Sequence, residues 1–473
     1  MSAIPKLFWI HDQPAHGSAI EYTARLLSNL IGVRAATLPI GDSHGDFEGP
    51  VVWYSQKPAP SRASVLRIRP QARFWDIVAN RAGVTPRTAI DWYRTVLPTW
   101  DDSPDPADPI AATFFLVSRI EEIADRVRDK HDRFIAGHAW MVQAGLSERP
   151  LVHEYAETIS RLLGLESEQL SPWPGGKRFA IAFTHDIDRW RMHGPLWQDI
   201  RSTLGGLRFP GGWGAALRRW QSRRAVRAGR TRDPYGTIEH IAELHEQHNQ
   251  RATLFWINAP ISIRDADYAE RDPQVVNTAQ SLAARGFENG LHGSYSSYND
   301  AEALRQQGTS LQEALGTPVR ATRQHYLRLR VPDTFQAQRD AGLTVDSSLG
   351  FAECPGFRAG IAVPFHPWSF EKNAPLPIWE LPLIMMDVSL REYMRLTPAK
   401  AIERSRTILE RMSQTGGAAA VLWHNSALNN INWRGWDSVY GQWLSMSQDL
   451  NGWGATISEI VNVWQTYVGL LDQ

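Results

Sequence analysis

The sequence predicts a two-part α/β protein whose larger, C-terminal part is a parallel sheet with helices packed outside it. Three observations carry this. The 473 residues exceed what one hydrophobic core usually organises. From residue 179 onward, short β-like runs alternate with amphipathic segments whose apolar residues recur at helical spacing. Residues capable of acid–base or metal chemistry stand at the ends of those β-like runs, the edge where parallel α/β folds collect their sites.

Taken in order, the first part, residues 1–170, holds β-like runs at Leu7–Ile10, Val51–Tyr54 and Val65–Ile68 and helical stretches at Ile20–Leu30 and Ile110–Arg128. Pro98–Pro109, rich in Pro and Asp, reads as a loop, and Ser171-Pro-Trp-Pro-Gly-Gly176 as a breaker-rich linker. No group of titratable residues here has catalytic spacing, so the segment reads as an accessory α/β domain.

The second part, residues 177–473, carries strands at Phe179–Thr184, Ala252–Ile257, Phe287–Leu291, Val319–Arg323, Leu343–Asp346, Ile378–Met386 and Ala418–Trp423. Helical segments at Thr237–Gln247, Val275–Arg285, Ala301–Leu315 and Ala399–Ser413 lie between them. Such alternation implies a barrel or a doubly wound sheet. One insertion breaks it: residues 189–232 hold eleven arginines against one acid, Asp199, with Trp190, Trp197, Trp213 and Trp220 interleaved. A solvated loop and helix explains this stretch; so does a surface for phosphate or anionic lipid headgroups, with Arg218, Arg219, Arg223 and Arg224 as the expected contacts.

Composition narrows the classes. Lys+Arg and Asp+Glu balance at 50 each, which argues against a dedicated nucleic-acid binder. The single cysteine, Cys354, excludes an intramolecular disulfide and a cysteine-based zinc site. The N-terminus lacks the basic start and apolar core of a signal peptide, and no run is long enough to span a bilayer; a cytoplasmic protein, peripheral to the membrane at most, is expected. The 20 tryptophans are mainly core and interface side chains, with a minority suited to stacking on sugar rings.

The chemistry concentrates at four strand ends. Phe179-Ala-Ile-Ala-Phe-Thr-His-Asp-Ile-Asp188 puts Asp186 and Asp188 on one side of an extended chain and His185 on the other. Two such carboxylates can divide labour between general base and metal ligand. The strand Phe287–Leu291 runs into His292-Gly-Ser-Tyr-Ser296, another into Arg323-Gln-His325-Tyr326, and the last long one into Trp423-His424-Asn425. Each is weak alone; together they form a site.

In these residues the sequence resembles the polysaccharide deacetylases with the NodB homology domain. Thr184-His-Asp186-Ile-Asp188 is similar to the family's Thr-Phe-Asp-Asp motif with Ile187 inserted, and His292-Gly-Ser-Tyr-Ser296 to its His-Ser/Thr-x-x-His motif. Arg323-Gln-His-Tyr326 matches Arg-x-Pro-Tyr, and Leu422-Trp-His424 matches Leu-x-His, all in the family's order. The first part resembles the accessory region of a bacterial branch with a His-Asp-x-Asp signature.

The resemblance implies a distorted (β/α) barrel of the NodB type with an N-terminal α/β accessory domain. It also implies removal of acetyl groups from N-acetylated or O-acetylated sugars by a divalent metal, zinc foremost. Asp186 would be the base, steadied by Arg323; Asp188 and His292 metal ligands; and His424 the acid. Tyr326, Asp346 and Trp423 are expected on the substrate side, with Asp346 near the place where the family tunes its acid histidine and the Tyr326 N–H a candidate oxyanion donor. Two departures follow: Ser296 replaces the second motif histidine, and Ile187 shifts the second aspartate by one position; His325, which stands where the family has a proline, or else water, would complete the metal's shell beside Asp188 and His292. Three functions remain open on this site: a deacetylase acting on a glycan or on a phosphorylated or lipid-linked precursor, a catalytically silent carbohydrate binder, and a deacylase or amidase of a non-sugar substrate.

Overall fold

The computed structural model describes residues 4–42, 47–61, 64–79, 108–165, 171–194, 212–262, 264–269 and 271–472, with residues 196, 200, 201, 203 and 204 besides. The expected loop up to residue 107, Trp197 and Asp199 of the insertion, and the first part's expected end at 166–170 lie outside these.

The first sheet is built from β1 (Lys6–His11), β2 (Arg34–Pro39), β3 (Val51–Tyr54) and β4 (Val65–Ile68), all parallel, in the order β2-β1-β3-β4. A helix, Gly17–Ile31, joins β1 to β2 and buries Ile20, Ala24, Leu27 and Ile31 along one face. It stops where Gly32 takes φ +83°, a left-handed geometry that a side chain resists. Strand β2 escaped the sequence reading because Arg-Ala-Ala-Thr-Leu-Pro is only half-buried and ends in proline, which an edge position tolerates. The helix expected over Ile110–Arg128 is two, Pro109–Ser118 and Ile120–Ala124, divided by Arg119 at φ +53°. Asp108 caps the first by accepting from the N–H groups of Ile110 and Ala111.

The second sheet comprises β5 (Phe179–Ile187), β6 (Ala252–Ile257), β7 (Glu288–Gly293), β8 (Ala321–Gln324) and β9 (Val345–Asp346). A small antiparallel pair, β10 (Trp368–Ser369) and β11 (Ala374–Pro375), intervenes before β12 (Trp379–Glu380), β13 (Leu383–Met386), β14 (Ala418–Leu422) and β15 (Gly452–Gly454). The order β12-β9-β8-β7-β6-β5-β14-β13 is parallel throughout, with β15 beside the start of β5. Only Leu381 and Pro382 separate the two end strands. The Leu381 N–H donates to the Asp346 carbonyl and the Pro382 carbonyl accepts from Ala420, so this dipeptide bonds both edges and the sheet curls back on itself. The result is a distorted (β/α) barrel; the single strand expected at Ile378–Met386 is split there because proline has no N–H to give.

Alternation along β5 divides the packing. Ala180 and Ala182 face the barrel interior, while Phe179, Ile181 and Phe183 pack under the outer helices. The interior cluster continues without a break into the first part's core, through Ile20, Phe114, Ile457 and Trp464. A buried ion network joins the parts as well: Glu122 receives the Arg358 guanidinium at 2.5 and 2.9 Å and Arg119 Nε at 2.8 Å. The two sheets are separate, but their core is shared.

Candidate active site

Parallel pairing puts the C-terminal ends of β5, β7, β8 and β14 on one rim, and register does the rest. His292 pairs with Ile257 on one side and with Arg323 on the other, and Leu422 pairs with Thr184. The rim therefore gathers Asp186, Asp188, His292, Arg323, His325 and His424. Close packing demands glycine there: a Cβ on Gly290 would stand 2.6 Å from the Phe255 ring, and one on Gly293 would meet the Gln324 amide.

Asp188 is the hub. Its Oδ1 lies 3.3 Å from His292 Nε2 and 3.6 Å from His325 Nε2, and its Oδ2 lies 3.7 Å from His424 Nε2. Donor atoms of Asp188, His292 and His325 all fall within 4.8 Å of one another. The histidines are oriented from behind. His292 Nδ1 meets the Arg323 carbonyl at 2.9 Å, which makes Nδ1 the donor and leaves a lone pair on Nε2. His325 Nδ1 meets Asp265 Oδ1 at 3.2 Å, to the same effect.

Two imidazole lone pairs and a carboxylate oxygen thus converge, and that oxygen is buried without a hydrogen-bond donor. A divalent cation satisfies all three, so the residues present fit a metal; imidazole and carboxylate suit zinc and its neighbours alike. Without one, a proton takes its place. Burial works against a charge on His325, yet Asp188 and Asp265 outweigh it and raise its pKa to about 9. Asp188 is held well below the usual carboxylate range, because His325 and His292 overcome the cost of its burial.

On one side of this triad is Asp186, with Oδ2 3.4 Å from His292 Nε2 and Oδ1 3.2 Å from Arg323 Nη1. Arg323 is wholly buried and fixed by the Ser347 carbonyl at 2.8 Å, the Ser347 hydroxyl at 3.0 Å and the Thr184 hydroxyl at 2.5 Å. On the other side is His424, whose Nδ1 and backbone N–H each lie 2.8 Å from Asp387. Burial pulls its pKa down, but Asp387 first, then Asp188 and Asp186, raise it to about 10. His424 thus carries a proton at neutral pH.

Similarity to known proteins was found at two levels. A family model described as "Family of unknown function (DUF7033)" matches residues 9–167. No curated protein matches the chain by sequence. Among solved structures, the chain is similar to a protein described as a polysaccharide deacetylase from Mycobacterium smegmatis, at 20% identity over 62% of this chain and 92% of that one, TM-score 0.41. It is also similar to Puue allantoinase, at 15% identity over 64% and 96%, TM-score 0.41. A third is a CE4 family pseudoenzyme from Bacillus anthracis, at 12% identity over 62% and 70%, TM-score 0.30. Likeness at this level carries no chemistry, which rests on this chain's own residues.

Three residues expected on the substrate side are distributed differently. Tyr326 is 36% exposed at the mouth, in a left-handed turn at φ +62°. Asp346 is fully buried and its carboxylate is taken up by Gln338 at 2.7 Å and by the Ser348 hydroxyl and N–H at 2.7 and 2.8 Å. Its other neighbour is Glu380, whose pKa is pushed well up by burial and by Asp346. Asp346 is therefore engaged within the protein, and the carboxylate on His424 is Asp387. Trp423 is also buried, its ring 5.1 Å from those of Tyr440 and Trp443 in the outer core, so its expected substrate contact is replaced by packing. Ser296 is exposed on the turn after β7. His185 points to the far side of β5, with Nδ1 2.8 Å from the Trp423 carbonyl.

The sequence reading missed Asp265, Asp387 and the wall of the mouth. Asp387 follows β13 directly, so the strand-end rule that found Asp186 would have found it too. Asp265 lies in a loop after β6 with no such marker. The wall comes from the first part of the chain: His131 lies against Tyr326 with ring centroids 4.7 Å apart and planes tilted by 33°, and its Nδ1 lies 3.2 Å from the Tyr295 hydroxyl. Arg133 holds the Tyr326 carbonyl at 3.1 Å, the Tyr393 hydroxyl at 2.9 Å and Asp129 at 2.7 Å.

Proposed function

We propose that this chain is a metal-dependent deacylase of N-acetylated sugars. The observation that carries the reading is a histidine–carboxylate triad suited to a divalent ion, flanked by a carboxylate on one side and a protonated histidine on the other. The motif order stated above supports the sugar as substrate class. A divalent ion held by Asp188, His292 and His325, most plainly zinc, would polarise the acyl carbonyl and acidify a water.

The protein's own residues supply the rest. Asp186, fixed by Arg323, accepts the proton of the attacking water. His424 holds its proton through Asp387 and delivers it to the departing amine, after which it is neutral and must be reprotonated for the next turnover. Tyr326 and Tyr393, exposed at the mouth and braced by Arg133, offer flat faces to a sugar ring. A second reading, a carbohydrate binder without turnover, is favoured by Ser296 in place of a ligating histidine. Acetate release from N-acetylglucosamine oligomers by the zinc-loaded protein tests the proposal: release that is lost in Asp186→Asn supports it, whereas tight oligomer binding with no release favours the binder.

A further inference from the structure

The insertion after Asp188 contains a helix, Gly212–Arg227, whose two sides differ in kind. One side is docked. Arg219 Nη2 donates to the Met192 carbonyl at 2.9 Å, Arg223 Nη1 to the Gly194 carbonyl at 3.0 Å, and His193 Nε2 meets the Ser222 hydroxyl at 2.9 Å. Arg218 reaches the Ile431 carbonyl at 3.1 and 3.2 Å, in the segment after His424. Three of the four arginines expected to meet an anion thus hold the insertion to the barrel instead.

The other side is apolar and open. Trp213 is 79% exposed, Leu217 61% and Trp220 39%, a spacing that puts them on one face. Arg224 and Arg227 continue that face, and Arg230 and Arg232 follow it; none of the four has an ion pair among the described residues. Leu196, Ile200 and Leu204 of the same insertion are exposed as well. Exposed tryptophan and leucine on a folded surface mark a docking site rather than a core, and the arginines state the charge of what docks.

We infer that this face seats the protein on an anionic lipid bilayer. Indole and leucine side chains enter the headgroup region, and the arginines, with one acid in the whole of residues 189–232 to offset them, meet lipid phosphates. The helix is anchored both beside the Asp188 strand end and to the segment after His424, so the active-site rim stays close to the surface it rests on. A substrate sugar carried on a lipid would be presented there. The inference does not depend on the proposed deacylation, because binding to vesicles is read without turnover.

The test is flotation of the full chain with vesicles of phosphatidylcholine alone and of phosphatidylcholine mixed equally with phosphatidylglycerol. The anionic vesicles should bind at least about tenfold more tightly, and added salt should weaken them. Trp213→Ala with Trp220→Ala, and separately Arg224→Glu with Arg227→Glu, should each cut that binding by about tenfold or more with melting unchanged, since all four side chains are exposed. Equal binding to both vesicle types, or parent-like binding by both variants, would overturn the inference. So would sedimentation showing a dimer that the tryptophan variant abolishes in the absence of vesicles, because the face would then belong to a second copy of the chain.

Discussion

Replacing His325 by alanine bears most sharply on how this site differs from the motif it resembles. Its Nε2 stands 3.6 Å from Asp188 Oδ1 and within the 4.8 Å donor group, and its Nδ1 is oriented by Asp265. Loss of a residue that only orients a ligand typically costs about 10–100-fold in metal affinity. Loss of the ligand itself should cost at least the upper figure, roughly 2.7 kcal/mol. Asp265→Asn should fall within the range for orientation, so the two variants form a graded pair. Zinc affinity measured by competition with a chromophoric chelator, on protein stripped and then titrated, gives both numbers. The site is 7% exposed at His325 and its barrel is closed by other residues, so the truncated protein should remain folded. Zinc affinity in His325→Ala within about threefold of the parent would refute the assignment and leave Asp188 and His292 to hold the ion with another partner.

Other perturbations test the surroundings of the triad. Asp387 is the largest contributor to the raised pKa of His424, about 10, and an acid must be protonated to act, so activity should fall as pH rises through that group's pKa. Asp387→Asn lowers the pKa, and the descending limb of the kcat/KM profile should move to lower pH; an unmoved limb would dissociate His424 from the acid role. Arg133→Ala releases the Tyr326 carbonyl and the Tyr393 hydroxyl, and should raise KM for a sugar oligomer by about tenfold with a smaller change in kcat, as read from steady-state kinetics. Glu122→Ala strands the buried Arg358 guanidinium, while Arg119 keeps Glu121, and should cost about 3–5 kcal/mol in denaturant unfolding. A loss under 1 kcal/mol, about the worth of an exposed pair, would show that the network is not what joins the two parts.

The barrel was legible in the sequence because its strands alternate with helices and because β6 and the helix Ala301–Leu315 are bounded by clear breakers. The carboxylates and histidines were legible for a related reason: parallel strands expose their last residues on one rim, so strand-end position alone brought Asp186, Asp188, His292, Arg323, His325 and His424 together. What sequence could not convey was direction and distance. Trp423 adjoins His424, but in an extended chain neighbouring side chains point oppositely, and it turned into the outer core. Asp346 and Asp387 both follow apolar runs, and only the closure through Leu381 and Pro382 sets which of them meets His424. The first part's share in the site was invisible for the same reason. His131 and Arg133 lie well over a hundred residues from Tyr326, and no local pattern records a contact of that range.

The central claim, a metal-assisted acyl transfer to water by Asp186 and His424, is tested most directly by acetate release from N-acetylglucosamine oligomers with the same preparation stripped of metal and then reloaded with zinc. The account predicts turnover only in the reloaded protein, and a fall of roughly two orders of magnitude or more in kcat for Asp186→Asn that still binds zinc normally. Turnover by the stripped protein, or parent-like turnover by zinc-loaded Asp186→Asn, would contradict it.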